Sequence, residues 1–306
     1  MQWKGVMPAM TTAFDADLNV EHTFIAQHAR WLVENGCTGL VCLGSLGEAA
    51  TLQFDEKIGV LSTVAAAVAG RVPVVAAISS LSTAEAVALA HAAARAGVQG
   101  LMILPPYVYK GDWREMKAHI GAILNATPLE AMLYNNPVAY GTDFVPEQIT
   151  ELATEFPNLA AVKESSTDVR RVTAIRTLTG DRLAIFVGVD DAIVEGIDAG
   201  AVGWIAGLVN ALPRESVDLF NLATAGHRQD AFELYRWFLR LLRIDTVPKF
   251  VQLIKQVQQE LGVGSARVRP PRLDVIGEEL AAVRTILDLA RADRPAIAAA
   301  STPFAQ

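Results

Sequence analysis

Short apolar runs alternate with helix-period segments over roughly the first 225 residues, and this alternation constrains the fold more than any other feature. Short apolar runs bounded by Gly, Pro or small polar residues are typical of buried parallel strands, whereas apolar residues spaced three and four apart are typical of helices. The runs predict eight strands, at residues 6–11, 39–43, 72–78, 100–104, 131–134, 159–162, 183–187 and 203–205. The intervening segments predict helices near residues 21–35, 55–69, 83–96, 112–126, 146–155, 168–179, 190–200 and 214–225.

Eight strand-then-helix units predict an α/β fold of the (β/α)8 or TIM-barrel type rather than a doubly wound sheet. A dinucleotide-binding fold would need a GxGxxG turn after the first strand, where this chain has Thr11-Thr12-Ala13-Phe14. Beyond residue 226 the strand signal stops, and residues 228–244, 247–262 and 276–292 predict three helices. We therefore expect a catalytic barrel at residues 1–226 and a C-terminal helical region at 227–306, with the last dozen residues frayed.

Several helix ends carry their own signals. Asp112 precedes the fourth predicted helix as an N-cap, and Pro146 stands where a first helical turn tolerates proline. Gly36, Gly70 and Gly97 stand where helices should stop, because glycine readily adopts the left-handed conformation of a C-terminal cap.

Charge and composition exclude several classes of partner. The chain of 306 residues has a net charge of −7, which argues against nucleic acid or an anionic membrane as a partner. With 52% hydrophobic and 19% charged residues it can bury a large core. No apolar run approaches the roughly 18 residues of a membrane span, and residues 1–6 lack the apolar core of a signal peptide. These features predict a soluble, cytoplasmic protein.

The metal-ligating residue types are sparse and scattered. The chain has only two cysteines and no CxxC motif, and Cys42 lies within an apolar run that predicts a buried free thiol. The five histidines lie in helix-like or helix-flanking segments, and we expect them on helix surfaces. No metal site is predicted. Lys249 and Lys255, in the C-terminal region, are expected to be surface charges.

Polar side chains follow three of the predicted strands, and barrel enzymes place their sites at this end of their strands. Lys163 follows the apolar run 159–162, Tyr134 ends the neighbouring strand, and Ser45 lies in the glycine-flanked loop after the second strand. A desolvated lysine has a lowered pKa and can attack a carbonyl to form a Schiff base. Tyr134 would then transfer protons, and the Ser45 hydroxyl with adjacent backbone N–H groups would bind a carboxylate.

Each of these residues also has a purely structural interpretation. Lys163 could extend its ammonium to solvent, and Tyr134 could simply bury its ring and find a partner for its hydroxyl. The segment 45–48 (SLGE) fits a helix capping box. Asp190 is expected to be a helix N-cap, and Tyr109 is expected to pack at the barrel mouth. Because two complementary roles fall on neighbouring strands, we favour the nucleophile for Lys163.

The quoted motifs give the chain its resemblance to a known family. It resembles the dihydrodipicolinate synthase / N-acetylneuraminate lyase family of class I Schiff-base aldolases and dehydratases, over essentially its whole length. The matching segments are residues 44–48 (GSLGE), 134–137 (YNNP), 162–164 (VKE) and 188–190 (GVD). The resemblance implies that Lys163 is the Schiff-base lysine, that Tyr134 shuttles protons, and that no cofactor is needed beyond the covalent lysine imine. It also implies a homotetramer or homodimer that binds a small keto acid or cyclic imino acid.

The resemblance further implies which residues bind the substrate. They are Ser45 and Leu46, which would hold the carboxylate, together with Ile205, Tyr109 and Gly188. Three departures bear on the substrate: Leu46 stands where the synthases have a threonine, Val108 where they have a relay tyrosine, and residues 138–141 (VAYG) lack their arginine. Tyr109 could only partly replace the missing relay tyrosine.

These departures and residues 268–272 (VRPPR) look like the subgroup of bacterial hydroxyproline catabolism. Its enzyme, 1-pyrroline-4-hydroxy-2-carboxylate deaminase, makes 2,5-dioxopentanoate and ammonia, and this is the activity we expect. One alternative is another keto-acid lyase of the family, such as a dihydrodipicolinate synthase-like enzyme or a keto-deoxy sugar acid dehydratase or aldolase. An alternative of a different class is a non-catalytic barrel that binds a keto acid.

Overall fold

The computed structural model describes residues 1–107 and 109–296. Eight parallel strands alternate with helices in chain order, which confirms the predicted barrel. The strands are β1 (Gly5–Pro8), β2 (Leu40–Cys42), β3 (Val74–Ile78), β4 (Gly100–Ile103), β5 (Glu130–Asn135), β6 (Leu159–Glu164), β7 (Ala184–Val187) and β8 (Gly203–Ala206). Val108 and the end that was expected to fray, from residue 297, lie outside the described residues.

The helices around the barrel follow the predicted positions closely. They are α1 (His22–Glu34), α2 (Phe54–Val68), α3 (Thr83–Arg95), α4 (Trp113–Ala126), α5 (Pro137–Tyr140), α6 (Pro146–Glu155), α7 (Arg170–Thr179), α8 (Ile193–Asp198) and α9 (Pro213–Thr224). Three more follow: α10 (Arg228–Leu242), α11 (Phe250–Glu260) and α12 (Gly277–Ala292). The short helix α5 was not predicted, because four residues are too few to show a helical period.

Strand pairing closes the barrel. Each strand from β2 to β8 pairs in parallel with the next, and β8 pairs with β1 from Gly5 opposite Gly203 to Pro8 opposite Ala206. Between β1 and β2 the closure is a single parallel bridge, in which Met10 N donates to Val41 O at 2.8 Å. The strands are almost wholly buried and belong to one continuous hydrophobic core. Closure brings all eight carboxyl ends of the strands to one mouth.

The predicted helix ends are present. Asp112 accepts a hydrogen bond from Glu115 N, and the Glu115 carboxylate accepts one from Asp112 N, both at 2.9 Å, which is a capping box at the start of α4. Gly36, Gly70 and Gly97 all have positive φ after the ends of their helices. Cys42 is buried and free, as predicted.

Two expectations about surface residues were wrong. His28 and His119 are each only 5% exposed. His28 stacks between Phe24 and Trp31 of α1, and burial lowers its pKa to about 4. Lys255 is 1% exposed, and its Nζ donates to a Glu48 carboxylate oxygen at 2.8 Å and to Thr12 O at 2.9 Å. The sequence hid these contacts because Glu48 lies 207 residues from Lys255 along the chain.

Removal of the buried Lys255 ammonium should destabilise the protein strongly. We expect Lys255→Met to lower the free energy of unfolding by about 3 kcal/mol, because the buried Glu48 carboxylate would lose its nearest cation and keep only Arg272, at 3.8 Å. The shift in the denaturant midpoint measures this effect. Lys249→Met is the matched control, since its ion pair with Glu279 is about half exposed and should contribute less than about 1 kcal/mol. Equal shifts in the two variants would contradict the expectation.

No helix among the described residues has the length and hydrophobicity that a membrane crossing requires.

Candidate active site

A cavity of about 550 Å³ opens at the mouth where the strands end. Sites of barrel enzymes lie at this face. Residues from strands β4, β5, β6 and β8 and from the loops after β1, β2, β5, β6, β7 and β8 line it, together with the segment that joins α10 to α11 and the first residue of α11. They are Ala9, Gly44, Ser45, Leu46, Met102, Tyr134, Asn136, Val138, Ala139, Tyr140, Lys163, Ser165, Thr167, Gly188, Val189, Ile205, Gly207, Asp245, Thr246, Val247, Pro248 and Phe250.

Lys163 lies inside β6, which continues to Glu164 rather than ending at Val162 as predicted. The strand is longer because β5 and β7 pair with it on both sides as far as Glu164. Lys163 is 6% exposed, and burial lowers its pKa, although the negative charges of the pocket oppose this shift in part. A lowered pKa favours the neutral amine, which is the form that can attack a carbonyl or an imine carbon.

Tyr134 stands directly beside the lysine. The two residues are paired in the β5–β6 register, and Lys163 Nζ lies 4.0 Å from the centroid of the Tyr134 ring. The Tyr134 hydroxyl accepts a hydrogen bond from Asn136 Nδ2 at 3.0 Å, which fixes its orientation and leaves its own proton free to be donated. Burial raises the pKa of Tyr134 to about 12. The tyrosine is therefore a neutral proton donor next to the amine.

Gly188, at the end of β7, gives the lysine the space it occupies. A Cβ added at Gly188 would lie 2.5 Å from Lys163 Cε and still closer to Ser165 Oγ. Since real Cβ contacts of this kind do not occur, any larger residue would displace the lysine side chain. Position 188 therefore requires glycine for the Lys163 side chain to keep its place.

The substitution Gly188→Ala should therefore impair imine formation. We expect the rate of borohydride-trapped adduct formation with pyruvate to fall on the order of 10²-fold, the cost of misplacing a reacting group by about 1 Å. Gly44→Ala is a matched control, because Gly44 also lines the cavity and its Cβ would meet only Met102 Cε, at 3.8 Å. Trapping at the same rate in both variants would refute the steric argument.

The loop after β2 carries Ser45. Thr12 Oγ1 donates to Gly47 O at 2.7 Å, and a Cβ on Gly47 would lie 3.0 Å from Met10 O, so the loop packs tightly against the end of β1. The Ser45 hydroxyl contacts the Tyr140 hydroxyl of α5 directly. These groups form a small hydroxyl cluster at the cavity wall, which can hold a carboxylate.

The capping-box interpretation of residues 45–48 was wrong. Glu48 has the left-handed φ of 53°, and its side chain turns away from Ser45 to the buried Lys255. Glu48 also accepts a hydrogen bond from Arg269 N at 3.1 Å. The motif therefore joins the Ser45 loop to the C-terminal region.

The remaining predicted substrate-binding residues divide into two groups. Leu46 and Ile205 line the cavity and are 3% and 1% exposed. Tyr109 is 55% exposed and is absent from the cavity lining, so the structure does not bring it to the other predicted residues. The tyrosine that packs against the ring of Tyr134 is Tyr140, with ring centroids 5.7 Å apart in an edge-to-face arrangement.

Asp190 was predicted to be a helix N-cap, but it lies within the one-turn helix Asp190–Ala192 and its side chain bonds elsewhere. The residue is fully buried, and its carboxylate accepts hydrogen bonds from Trp204 Nε1 at 3.1 Å and from the backbone N–H groups of Gly207 and Leu208. Burial raises its pKa to about 6. Asp190 therefore fixes the loop that follows β8, which forms part of the cavity wall.

Two polar side chains of the cavity wall were missed by the analysis of strand ends. Tyr140 lies on the short helix α5, and Asp245 lies in the C-terminal region, in the one-turn helix Arg243–Thr246. Neither follows a strand directly. The sequence draws attention to Tyr140 only within residues 138–141, which lack the arginine of the synthases. No local signal distinguishes Asp245 from an acidic residue at the surface.

Among residues 1–107 and 109–296, no three His, Cys, Asp or Glu side chains come together as a set that could hold a metal ion.

Sequence comparison relates the chain to known enzymes. A model of the dihydrodipicolinate synthetase family matches residues 2–290. The chain is 33% identical over 279 residues to the 4-hydroxy-tetrahydrodipicolinate synthase of Cyanothece sp., which covers 90% of this chain and 94% of that protein. It is 32% identical over 275 residues to the synthase of the same name from Rhizobium meliloti, with coverage of 90% and 93%.

Solved structures show the same architecture. The 4-hydroxy-tetrahydrodipicolinate synthase from Methylacidiphilum fumariolicum SolV superimposes with a TM-score of 0.92 at 25% identity, over 95% of this chain and 97% of that chain. YagE, a prophage protein of the dihydrodipicolinic acid synthase family from E. coli K12, was solved in complex with pyruvate. It gives a TM-score of 0.90 at 25% identity, over 95% and 99% of the two chains.

Proposed function

Because the chain belongs to the dihydrodipicolinate synthetase family, we propose that it converts 1-pyrroline-4-hydroxy-2-carboxylate to 2,5-dioxopentanoate and ammonia. Enzymes of this family are lysine Schiff-base lyases or aldolases that act on small keto acids. They work through the covalent lysine imine without an external cofactor. The finer assignment concerns which substrate the lysine attacks and what leaves it.

The small number of charged side chains in the cavity is the observation that supports this assignment. Among its described lining residues only Lys163 and Asp245 are charged, and Lys163 is consumed in forming the imine. Leu46, Val138 and Ala139 supply apolar surface instead. A substrate with a second carboxylate would need a second cation or a comparable set of donors. A substrate with one carboxylate, which already contains its reactive carbon and its leaving group, fits this lining better.

The proposed reaction begins at the ring imine. The Lys163 amine adds to C2, the ring C2–N bond breaks, and its electron pair stays on the nitrogen, which becomes a primary amine on C5. Tyr134, oriented by Asn136, supplies and removes protons on the adjacent side. The Ser45 hydroxyl, the Leu46 amide and the Tyr140 hydroxyl would hold the substrate carboxylate.

Elimination and hydrolysis complete the reaction. Loss of the C3 proton gives an enamine, whose electrons expel the C4 hydroxyl group as water and leave an unsaturated imine. Tautomerisation moves the unsaturation to the C5–N bond. Water then hydrolyses both C–N double bonds, which releases ammonia from C5 and restores the Lys163 amine. The net change is the addition of one water to the substrate.

The names of the curated relatives favour a second candidate, 4-hydroxy-tetrahydrodipicolinate synthase. That enzyme handles an aldehyde substrate with its own carboxylate, for which the resemblance implies an arginine in the segment occupied here by residues 138–141 (VAYG). A keto-deoxy sugar acid dehydratase or aldolase is a further member of the same class. Either would make a different product, so the product distinguishes the candidates.

Ammonia release from 1-pyrroline-4-hydroxy-2-carboxylate tests the proposal directly. We expect ammonia and 2,5-dioxopentanoate in equal amounts, with no condensation when pyruvate and the synthase's aldehyde substrate are supplied instead. Condensation without ammonia release would replace the proposal with the synthase. A keto-acid-binding barrel without catalysis would give neither product and no borohydride adduct on Lys163.

Three broader expectations accompany this proposal. We propose that residues 1–226 form the catalytic barrel and residues 227–306 a separate helical region, although Lys255 and Asp245 tie this region to the barrel mouth. Family members are typically oligomeric, and a homotetramer or homodimer stays a prediction for this chain. The cytoplasmic location also stays a prediction.

A further inference from the structure

Asp245 is the one acidic side chain among the described residues that line the cavity. It comes from the one-turn helix Arg243–Thr246 between α10 and α11, so the C-terminal region carries it over the barrel mouth. The next residues of this segment, from Thr246 to Pro248, also line the cavity. Nothing in the mechanism described so far uses this carboxyl group.

The space beside β8 is shaped around Asp245. A Cβ on Gly207 would collide with Asp245 Oδ1 and lie 3.0 Å from its Cγ. Gly207 N donates to the Asp190 carboxylate and lies 3.2 Å from each of its two oxygens. Asp190 thereby holds Gly207 in place. The loop after β8 is therefore fixed in a form that admits the Asp245 side chain.

The Asp245 carboxyl group has no hydrogen-bond or ion-pair partner among the residues that the structure describes. Within residues 1–107 and 109–296, no group donates a hydrogen bond to it and no cation forms an ion pair with it. By contrast, Asp190 accepts from Trp204, Gly207 and Leu208. A carboxyl group that is held against a cavity wall without a partner is available to a bound molecule.

Asp245 and Tyr134 lie on opposite sides of the lysine. Tyr134 stands on β5, on one side of β6, whereas Asp245 packs against Gly207 at the end of β8, beyond β7 on the other side. An imine carried by Lys163 therefore has one proton-transfer group on each side. Two groups placed apart in this way can divide the proton transfers of the elimination between them, one at C3 and one at the C4 oxygen.

We propose that Asp245 is a further catalytic residue, the acid that protonates the C4 hydroxyl group as it leaves. The inference rests on the proposed function. In the step, the Asp245 O–H bond breaks and a new O–H bond forms to the C4 oxygen. The C4–O bond breaks with its electron pair going to that oxygen, which departs as water. The enamine electrons form the C3–C4 double bond, and the Asp245 carboxylate regains a proton from solvent at the mouth.

The electrostatics of the site agree with this role. Burial and the neighbouring Asp190 raise the pKa of Asp245, which favours its acid form. Lys163 acts in the opposite direction, but its conversion to a substrate imine changes the charge next to Asp245 during the reaction. A carboxylic acid that bears its proton is the form that can protonate a leaving group.

Asp245→Asn tests the inference, because asparagine keeps the size of the side chain and loses its acidity. We expect ammonia release from the 4-hydroxy substrate to fall on the order of 10²–10⁴-fold, the usual contribution of a positioned acid. With the 4-chloro analogue of the substrate, chloride release should stay near the wild-type rate, because chloride departs without a proton. Borohydride trapping on Lys163 should also be unchanged, since the imine forms before this step.

Asp191→Asn is the matched control, because Asp191 is a nearby acid that pairs with Arg243 and does not line the cavity. It should release ammonia at the wild-type rate. If Asp245→Asn lost as much rate on the chloro analogue as on the hydroxy substrate, or lost none on either, the acid role would be overturned. A wild-type enzyme that forms the imine but releases no ammonia would instead overturn the substrate assignment, and the role of Asp245 with it.

Discussion

Lys163→Ala is expected to abolish turnover. We expect a loss on the order of 10⁴–10⁶-fold in kcat/KM, the range seen when a member of a covalent catalytic unit is removed. The physical reason is that every later step takes place on a carbon bound to the Lys163 nitrogen, so no other residue can substitute for it. The variant should also give no mass adduct when it is incubated with pyruvate or substrate and reduced with borohydride.

Lys163→Arg tests whether residue 163 acts as a nucleophile or only as a positive charge. Arginine keeps a cation in the cavity, but its guanidinium stays protonated and cannot form the imine. We therefore expect it to be as inactive as the alanine variant, while circular dichroism shows both to be folded. Turnover of Lys163→Ala at the wild-type rate would show that the chemistry does not pass through a lysine imine.

The barrel was predictable because each strand is encoded locally. A barrel strand has helices on its outer face and the packed barrel interior on its inner face, so it must be apolar throughout and appears as a short apolar run. The runs at 100–104 and 203–205, for example, correspond to β4 at Gly100–Ile103 and β8 at Gly203–Ala206. Strand ends were less predictable, since pairing with two neighbours carried β6 past Val162 to include the polar residues Lys163 and Glu164.

The site was predictable only as far as it follows the strands. Lys163, Tyr134 and Gly188 lie at strand ends, and the fold alone brings them to one mouth. Asp245 could not be found in this way, because it lies more than 80 residues after Lys163 and reaches the mouth through the packing of α10 and α11. Tyr109 shows the converse error: a residue close in sequence to the mouth can face solvent.

Tyr134→Phe should cost on the order of 10²–10⁴-fold in kcat, the usual contribution of a positioned acid–base group. The ring would still pack beside Lys163, since only the hydroxyl is lost, so the effect should fall on proton transfer rather than on folding. Because Asn136 Nδ2 donates to that hydroxyl, the proton of Tyr134 points to its other neighbours, and without that proton the ring nitrogen must leave C2 unaided. Steady-state ammonia release measures kcat, and single-turnover trapping on Lys163 measures the rate of imine formation.

Tyr109→Phe is the matched control for this prediction, because it removes the same atom from a tyrosine that is 55% exposed and outside the cavity lining. Wild-type activity is expected for Tyr109→Phe. The comparison is informative only if proton transfer limits the rate, and an isotope effect with substrate deuterated at C3 would establish this. Given such an effect, an unchanged kcat in Tyr134→Phe would reduce Tyr134 to a packing residue. The proton would then have to pass through Tyr140, whose hydroxyl lies in the same cluster as Ser45.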